Sequence, residues 1–198
     1  ELLFNTDRWE EWLWRRRLMQ PSLHRQQIAG FAEAMVEEAA QLCDGWADGE
    51  VRDLEVEMKR LTMRIIARTM FSVRDRPQVD RLRQVYEGDS DWTYRQASAP
   101  VALPIWVPTP QNRRARAAMR ARGDDLRRVV EDRFHQDEPR GDLLDLLIGA
   151  HLEDGRRFTA EQLLGEVAGM VFAGHETTAS TLMWGLYAIS GDAGIEAA

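Results

Sequence analysis

Apolar positions recur three or four residues apart along most of the chain, the spacing that gathers them on one face of an α-helix. This pattern predicts a mainly α protein. The sequence lacks the alternation of strands and helices that would indicate a parallel nucleotide-binding sheet. The predicted helices cover residues 7–20, 24–46, 51–71, 77 to about 100, 113–135, 142–151 and 160–190.

Two of these helices have well-defined apolar faces. The face between residues 24 and 46 consists of Ile28, Phe31, Met35, Ala39 and Leu42. The face between residues 51 and 71 consists of Leu54, Met58, Leu61, Ile65 and either Met70 or Phe71. We expect both faces to be buried, because each forms one continuous stripe along its helix.

Prolines and turn residues separate the predicted helices. Pro21 ends the first helix, because proline lacks an N–H and disfavours helix in the residue before it. Residues 100–114 contain four prolines and form an exposed apolar connection to a charged surface helix. The sequence "EDGRRF" at residues 153–158 predicts a turn or small hairpin. Thr159 and Gln162 have the spacing of a capping box at the start of the last helix.

Composition limits the class of protein. The 198 residues are 44% hydrophobic, which suits one core and one domain, and the net charge of −7 argues against a general nucleic-acid binder. No apolar run is long enough to span a membrane. The lone cysteine, Cys43, excludes a disulfide framework and favours the cytoplasm. We expect Cys43 to be a small buried helix residue.

The candidate chemistry lies in the last helix, in the stretch "MVFAGHETTAS" at residues 170–180. Gly174 destabilises a helix interior by roughly 1 kcal/mol relative to alanine, which calls for a reason. Thr177 and Thr178 can donate hydrogen bonds to carbonyls one turn earlier, which often bends a helix. With Glu176 beside them, the small residues and hydroxyls suggest a pocket wall where a small ligand is bound and protonated.

Two other interpretations of this stretch are possible. Glycine and threonine also occur where two helices simply cross closely. The zinc pattern H-E-x-x-H begins at His175 but lacks its second histidine, since position 179 is alanine. We therefore expect His175 to be a polar helix residue and predict no metal ligand in this chain.

The stretch "AGHETT" resembles the oxygen-binding helix motif of the cytochrome P450 family, the haem-thiolate monooxygenases. "EEWLWRRRLMQPSLHR" similarly resembles helix C of that family, in which a tryptophan and an arginine four residues apart precede a proline, as Trp12 and Arg16 do here. The segments 57–71, 103–114 and 142–155 resemble helix E, the link between helices F and G, and the approach to helix I. The resemblance thus runs in order from helix C to just beyond helix I.

The resemblance implies a P450-like helical domain that is incomplete, with residues 1–198 as one partial domain. The N-terminal sheet region and the C-terminal haem-ligand loop would be absent. The implied cofactor is haem b, with O2 as co-substrate. The implied partners are a small hydrophobic substrate and an electron donor, either a ferredoxin or a flavin reductase.

The resemblance also implies roles for individual residues. Thr177 and Glu176 would bind and protonate dioxygen. The residues in contact with haem would be Trp12, Arg16, Ala173, Gly174 and Thr178. Met170 and Phe172 would face the substrate. The stretch Arg15–Arg17 would be either a solvated basic face or, in part, the surface where the electron donor docks.

The sequence departs from the family pattern in one important respect. No segment matches the loop that carries the iron-ligating cysteine, and Cys43 precedes the oxygen-binding helix, whereas the family's ligand follows it. The thiolate favours O–O cleavage, so we expect this chain to be an internal piece of a longer monooxygenase and inactive alone. Two alternatives stay open. One is a haem protein of the same fold that isomerises or reduces its substrate, and the other is a helical interaction module without activity.

Overall fold

All regular secondary structure in the described part of the chain is helical. This computed structural model describes residues 3, 6–99, 103–135 and 138–191. The helices are α1 (Trp9–Met19), α2 (Arg25–Gly30), α3 (Ala32–Cys43), α4 (Leu54–Phe71), α5 (Arg76–Ser98), α6 (Pro110–Phe134), α7 (Leu143–Gly149) and α8 (Ala160–Ser190). A 3-10 turn over Gln20–Leu23 follows α1. The prediction of a mainly α fold is confirmed, and no strand occurs in the described ranges.

Helix α8 forms the centre of the packing. It lies against α4, α6 and α7, and its residues Leu163, Val167 and Val171 are fully buried in the main apolar core. These residues recur every fourth position, so they form one stripe along the helix. A second, smaller cluster joins α3, α4 and the later part of α8 through Leu42, Met58, Leu61 and Ala179.

Side-chain caps set the starts of most long helices. The side chains that accept a hydrogen bond from the first turn are those of Asp53, Asp75, Thr109, Asp142 and Thr159. Each such cap stabilises its helix by about 1 kcal/mol. The predicted capping box at the start of α8 is confirmed, since the Thr159 backbone N–H also donates to the Gln162 side chain.

Several predicted boundaries were wrong. Helix α6 begins at Pro110, earlier than the predicted residue 113, because proline is well tolerated at a first helical position. The single helix predicted over 24–46 is two helices, with a turn at Phe31. Its apolar stripe is only partly buried, and Ile28 is 39% exposed. The prediction that Cys43 is buried was also wrong, because it is exposed at the end of α3.

A buried ionic network fastens α6, α7 and α4 together. Arg133 donates to both carboxylate oxygens of Asp142, at 2.8 and 2.9 Å, and also to Asp145. Ser72 directly follows α4 and has a left-handed backbone conformation. Its hydroxyl donates to Asp142 at 2.8 Å. Burial by itself would raise the pKa of Asp145, because it disfavours the charged carboxylate. The hydrogen bonds from Arg133 and from backbone N–H groups outweigh this effect, so the pKa of Asp145 is lowered.

Candidate functional site

One side of α8 combines small residues with hydroxyls and is exposed. At 3.6 residues per turn, Met170, Ala173, Thr177, Thr181 and Trp184 share this side, which we call the oxygen face. Ala173, Thr177 and Thr181 are all exposed. The Thr177 hydroxyl donates to the Ala173 carbonyl, and the Thr181 hydroxyl donates to the Thr177 carbonyl at 2.8 Å. The predicted hydrogen bond from Thr177 to the preceding turn is therefore confirmed.

The opposite side of α8 packs on α4 through His175. This side chain is 1% exposed, and its Nε2 lies 3.1 Å from the Lys59 carbonyl oxygen. A carbonyl only accepts hydrogen bonds, so Nε2 carries the proton. Burial lowers the pKa of His175, which keeps the ring neutral. Within the described residues no cluster of His, Cys, Asp or Glu could hold a metal ion.

Gly174 faces α4, in contrast to the neighbouring Ala173. A Cβ built on Gly174 would lie 3.6 Å from Ile66 Cδ1, which is an ordinary van der Waals distance. The nearest neighbour of this glycine is thus a flexible side-chain end on the adjacent helix. The role of Gly174 in holding haem stays a prediction, and the described residues supply no steric need for glycine there.

Glu176 lines a polar cavity between α4, α5 and α8. The cavity has a volume of about 390 Å³, and its lining includes Glu55, Lys59 and Tyr94. The Lys59 ammonium donates to Glu55 at 2.6 Å. Burial by itself would lower the pKa of Lys59, because it disfavours the charged ammonium. The hydrogen bond to Glu55 and the negative charges of Glu55 and Glu176 outweigh this effect, so the pKa of Lys59 is raised. No hydrogen bond joins Glu176 directly to Thr177 among the described residues, so a proton would pass between them through water.

The remaining predicted residues of α8 lie on different sides of the helix. Met170 is half-buried and packs against the main core while sharing the oxygen face with Thr177. Phe172 is 42% exposed and lies roughly 140° around the helix from Thr177. Thr178 is exposed and lies roughly 100° from Thr177. Of these three, Met170 is the one that the helix places beside the predicted oxygen site.

On α1, Trp12 and Arg16 contact each other. The Arg16 guanidinium carbon lies 4.9 Å from the centre of the Trp12 ring. The Trp9 and Trp12 rings stack on each other, with their centres 5.0 Å apart. Arg16 is exposed and forms no ion pair with any described carboxylate. The pair is therefore a preassembled cationic and aromatic surface that can accept an external carboxylate.

Arg15 differs completely from Arg16. It is 4% exposed, and its guanidinium donates to Glu166 of α8 at 2.7 Å. The expectation that Arg15 belongs to a solvated basic face was wrong, because rotation by about 100° per residue turns it towards α8. Sequence reasoning missed Glu166 as well. An acid inside the apolar run from Leu163 to Val171 was the signal that could have revealed it.

These residues fit part of the site that the resemblance implies. Arg16 and Trp12 can hold a propionate, because guanidinium and indole N–H groups both donate. Ala173 adds only a methyl group to the exposed surface beside the Thr177 hydroxyl, so a flat group can approach it. Cys43 lies at the end of α3 and joins neither group of residues. Cys43 is the single cysteine of the 198 residues.

Comparison with known proteins gives a consistent result. A family model for cytochrome P450 matches residues 1–197. The chain is 33% identical to cyclooctat-9-en-7-ol 5-monooxygenase of Streptomyces melanosporofaciens, over 90% of this chain and 39% of that protein. It is 32% identical to pentalenene oxygenase of Streptomyces avermitilis, over 92% of this chain and 40% of that protein.

Solved structures agree with the sequence comparison. The haem domain of cytochrome P450DA superposes with a TM-score of 0.80 at 26% identity, covering 94% of this chain and 42% of that domain. The chain therefore spans about two fifths of the length of the relatives that it matches. Within the described residues, no helix has both the length and the apolar character that crossing a membrane requires.

Proposed function

Because the chain belongs to the cytochrome P450 family, we propose that it is the central helical part of a haem b monooxygenase. The complete enzyme inserts one atom of O2 into a hydrophobic organic substrate. The observation that carries this proposal is the oxygen face of α8, where the Thr177 hydroxyl stands exposed beside the small Ala173. The haem, when bound, supplies the iron chemistry that activates dioxygen.

In this proposal Thr177 moves a proton at its Oγ1 atom. The hydroxyl now donates to the Ala173 carbonyl, and a rotation about χ1 redirects the same hydrogen towards a molecule on the oxygen face. Glu176 takes protons from solvent in the polar cavity that it shares with Lys59. Water then connects Glu176 to Thr177.

A hydrophobic substrate would enter beside the loop between α5 and α6. Its side chains Leu103 and Trp106 are 45% and 72% exposed, so the loop presents two large apolar groups at the surface. Asn112 holds this loop, since its amide donates to the carbonyls of Pro104 and Val107, each at 2.9 Å. Two relatives are named for cyclooctat-9-en-7-ol and pentalenene. We therefore propose an apolar alkene skeleton as the substrate class, with Met170 in contact with it. Phe172, which lies roughly 160° around the helix from Met170, is proposed as a second contact.

The other parts of the proposed assembly follow from the family. A ferredoxin or flavin reductase donates electrons, and Arg17, which is exposed, belongs to the basic surface that attracts it. Trp12 and Arg16 bind a haem propionate, while Ala173, Gly174 and Thr178 border the haem pocket. The enzyme works in the cytoplasm.

The test of the proton role compares two threonines in the complete enzyme. Thr177→Ala should lower the product formed per reducing equivalent about tenfold, with the missing electrons recovered as peroxide or water. Thr181→Ala is the matched control, because it removes a hydroxyl with the same backbone hydrogen bond on the same face. Thr177→Ser should restore most of the coupling. Equal coupling in Thr177→Ala and Thr181→Ala would refute the role of Thr177.

A further inference from the structure

Two adjacent arginines of α1 have opposite environments. Arg15 is buried and doubly paired, whereas Arg16 is exposed and rests on the Trp12 ring. The partners of Arg15 are Glu11 on its own helix, at 3.1 Å from Nε, and Glu166 on α8, at 2.7 Å from a terminal nitrogen. Arg15 therefore faces the protein interior, while Arg16 is free to contact an external group.

Glu166 is the central acceptor of a clamp between α1 and α8. Its side chain is fully buried, and it also accepts the backbone N–H of Leu3 at 3.0 and 3.1 Å. Beside it, Trp14 of α1 packs on Phe158, directly before α8, with ring centres 5.5 Å apart. The clamp thus joins α1 to the first half of α8 by one ionic contact and one aromatic contact.

We propose that the Arg15–Glu166 ion pair is a positioning element that sets the propionate-binding pair Trp12 and Arg16 at a defined distance from the oxygen face of α8. This inference rests on the proposed haem function. Glu166 lies one turn before Met170 on a continuous helix, and Arg15 is the chain neighbour of Arg16. Each pair of residues lies on one continuous helix, so we expect a change at the ion pair to displace Arg16 relative to the residues beyond Met170.

Energetics favour a positioning role over a stabilising one. A buried ion pair contributes little net stability, because desolvation of both charges offsets their attraction. Its geometry is nevertheless restrictive, since a guanidinium forms its hydrogen bonds in a fixed plane. An apolar pair would hold the helices together equally well but would allow them to slide.

The experiment measures haem transfer from the complete, haem-loaded enzyme to excess apomyoglobin. Arg16→Gln should speed haem loss about tenfold, the effect of losing one charge-assisted hydrogen bond. Arg15→Gln and Glu166→Gln should each speed it severalfold, although neither residue touches the propionate. Because Arg15 acts through Arg16, the double variant Arg15→Gln/Arg16→Gln should lose haem no faster than Arg16→Gln alone.

Arg133→Gln is the matched control. Arg133 is as deeply buried as Arg15 and is likewise paired with a buried acid, Asp142, but it joins α6 to α7. Its loss should lower the melting temperature comparably and change haem transfer by less than about twofold. Arg15→Lys keeps the charge and provides a folded alternative if the glutamine variant does not accumulate. It should speed haem loss less than Glu166→Gln does.

Two results would overturn the inference alone. One is equal acceleration of haem loss in Arg15→Gln and Arg133→Gln at equal destabilisation, which would make Arg15 an ordinary structural residue. The other is full additivity of Arg15→Gln with Arg16→Gln, which would mean that the two act independently. Failure of the wild-type complete enzyme to bind haem would instead refute the proposed function, and this inference with it.

Discussion

Replacing Gly174 by alanine tests whether that glycine is needed for a close approach. In a helix interior, alanine is more stable than glycine by about 1 kcal/mol. The added Cβ would lie 3.6 Å from Ile66 Cδ1, so no clash subtracts from this gain. Gly174→Ala should therefore stabilise the 198-residue chain by about 1 kcal/mol, which raises its melting temperature by about 2–4 °C.

The assay is thermal and urea unfolding followed by circular dichroism. Gly185→Ala is the control, because Gly185 lies in the same helix and a Cβ there meets nothing within 4 Å. Both variants should be stabilised to a similar extent. If Gly174→Ala were destabilised while Gly185→Ala was stabilised, the reasoning would be refuted. The result would show that α4 approaches Gly174 more closely than the 3.6 Å between the added Cβ and Ile66 Cδ1. In the complete enzyme, loss of haem from Gly174→Ala alone would instead support a close contact between Gly174 and haem.

Two further predictions concern His175 and Asn112. Burial lowers the pKa of His175, so the imidazole binds a proton more readily in the unfolded chain than in the folded one. The contribution of neutral His175 to the free energy of unfolding is therefore complete above pH 6.5. It is lost as the pH falls below that value, by up to about 1.4 kcal/mol per pH unit. Urea unfolding at pH 7.5 and 5.5 should show a larger loss for wild type than for His175→Gln, and equal losses would contradict this. Asn112→Ala removes three hydrogen bonds of a side chain that is 2% exposed, which should destabilise the chain by about 1–3 kcal/mol and speed proteolysis within residues 103–109. Asn112→Asp, which keeps the acceptor for Trp92, should be cut at an intermediate rate, and unchanged cleavage in both variants would exclude a role in holding the loop.

Local chemistry was sufficient to predict the mainly helical fold and several of its helix ends. The capping box of Thr159 and Gln162, the stop at Pro21 and the turn at residues 153–158 depend on neighbouring residues, which the sequence displays directly. The hydrogen bond from Thr177 to the preceding turn is local in the same sense. The family motif "AGHETT" was equally readable, because its residues are contiguous on one helix.

Sequence alone could not decide which polar residues enter the core. Arg15 and Arg16 have the same chemistry and adjacent positions, yet one pairs with Glu166 across 151 residues of chain and the other faces outward. The difference arises from about 100° of helix rotation together with the position of α8. The rotation follows from the adjacency of the two arginines on a helix, but the side of that helix which α8 covers does not.

The same limit explains the errors over Ile28 and Cys43. Periodicity shows that a helix has an apolar face, but burial requires another element to cover that face. Ile28 lies in short α2, whose main neighbours among the described elements are α3 and the turn after α1, and it stays 39% exposed. Cys43 is exposed because it ends its helix. The sequence therefore determined the helices, their caps and the family motif, whereas the tertiary structure decided that Gly174 meets Ile66 and that Ala173 and Thr177 form the exposed oxygen face.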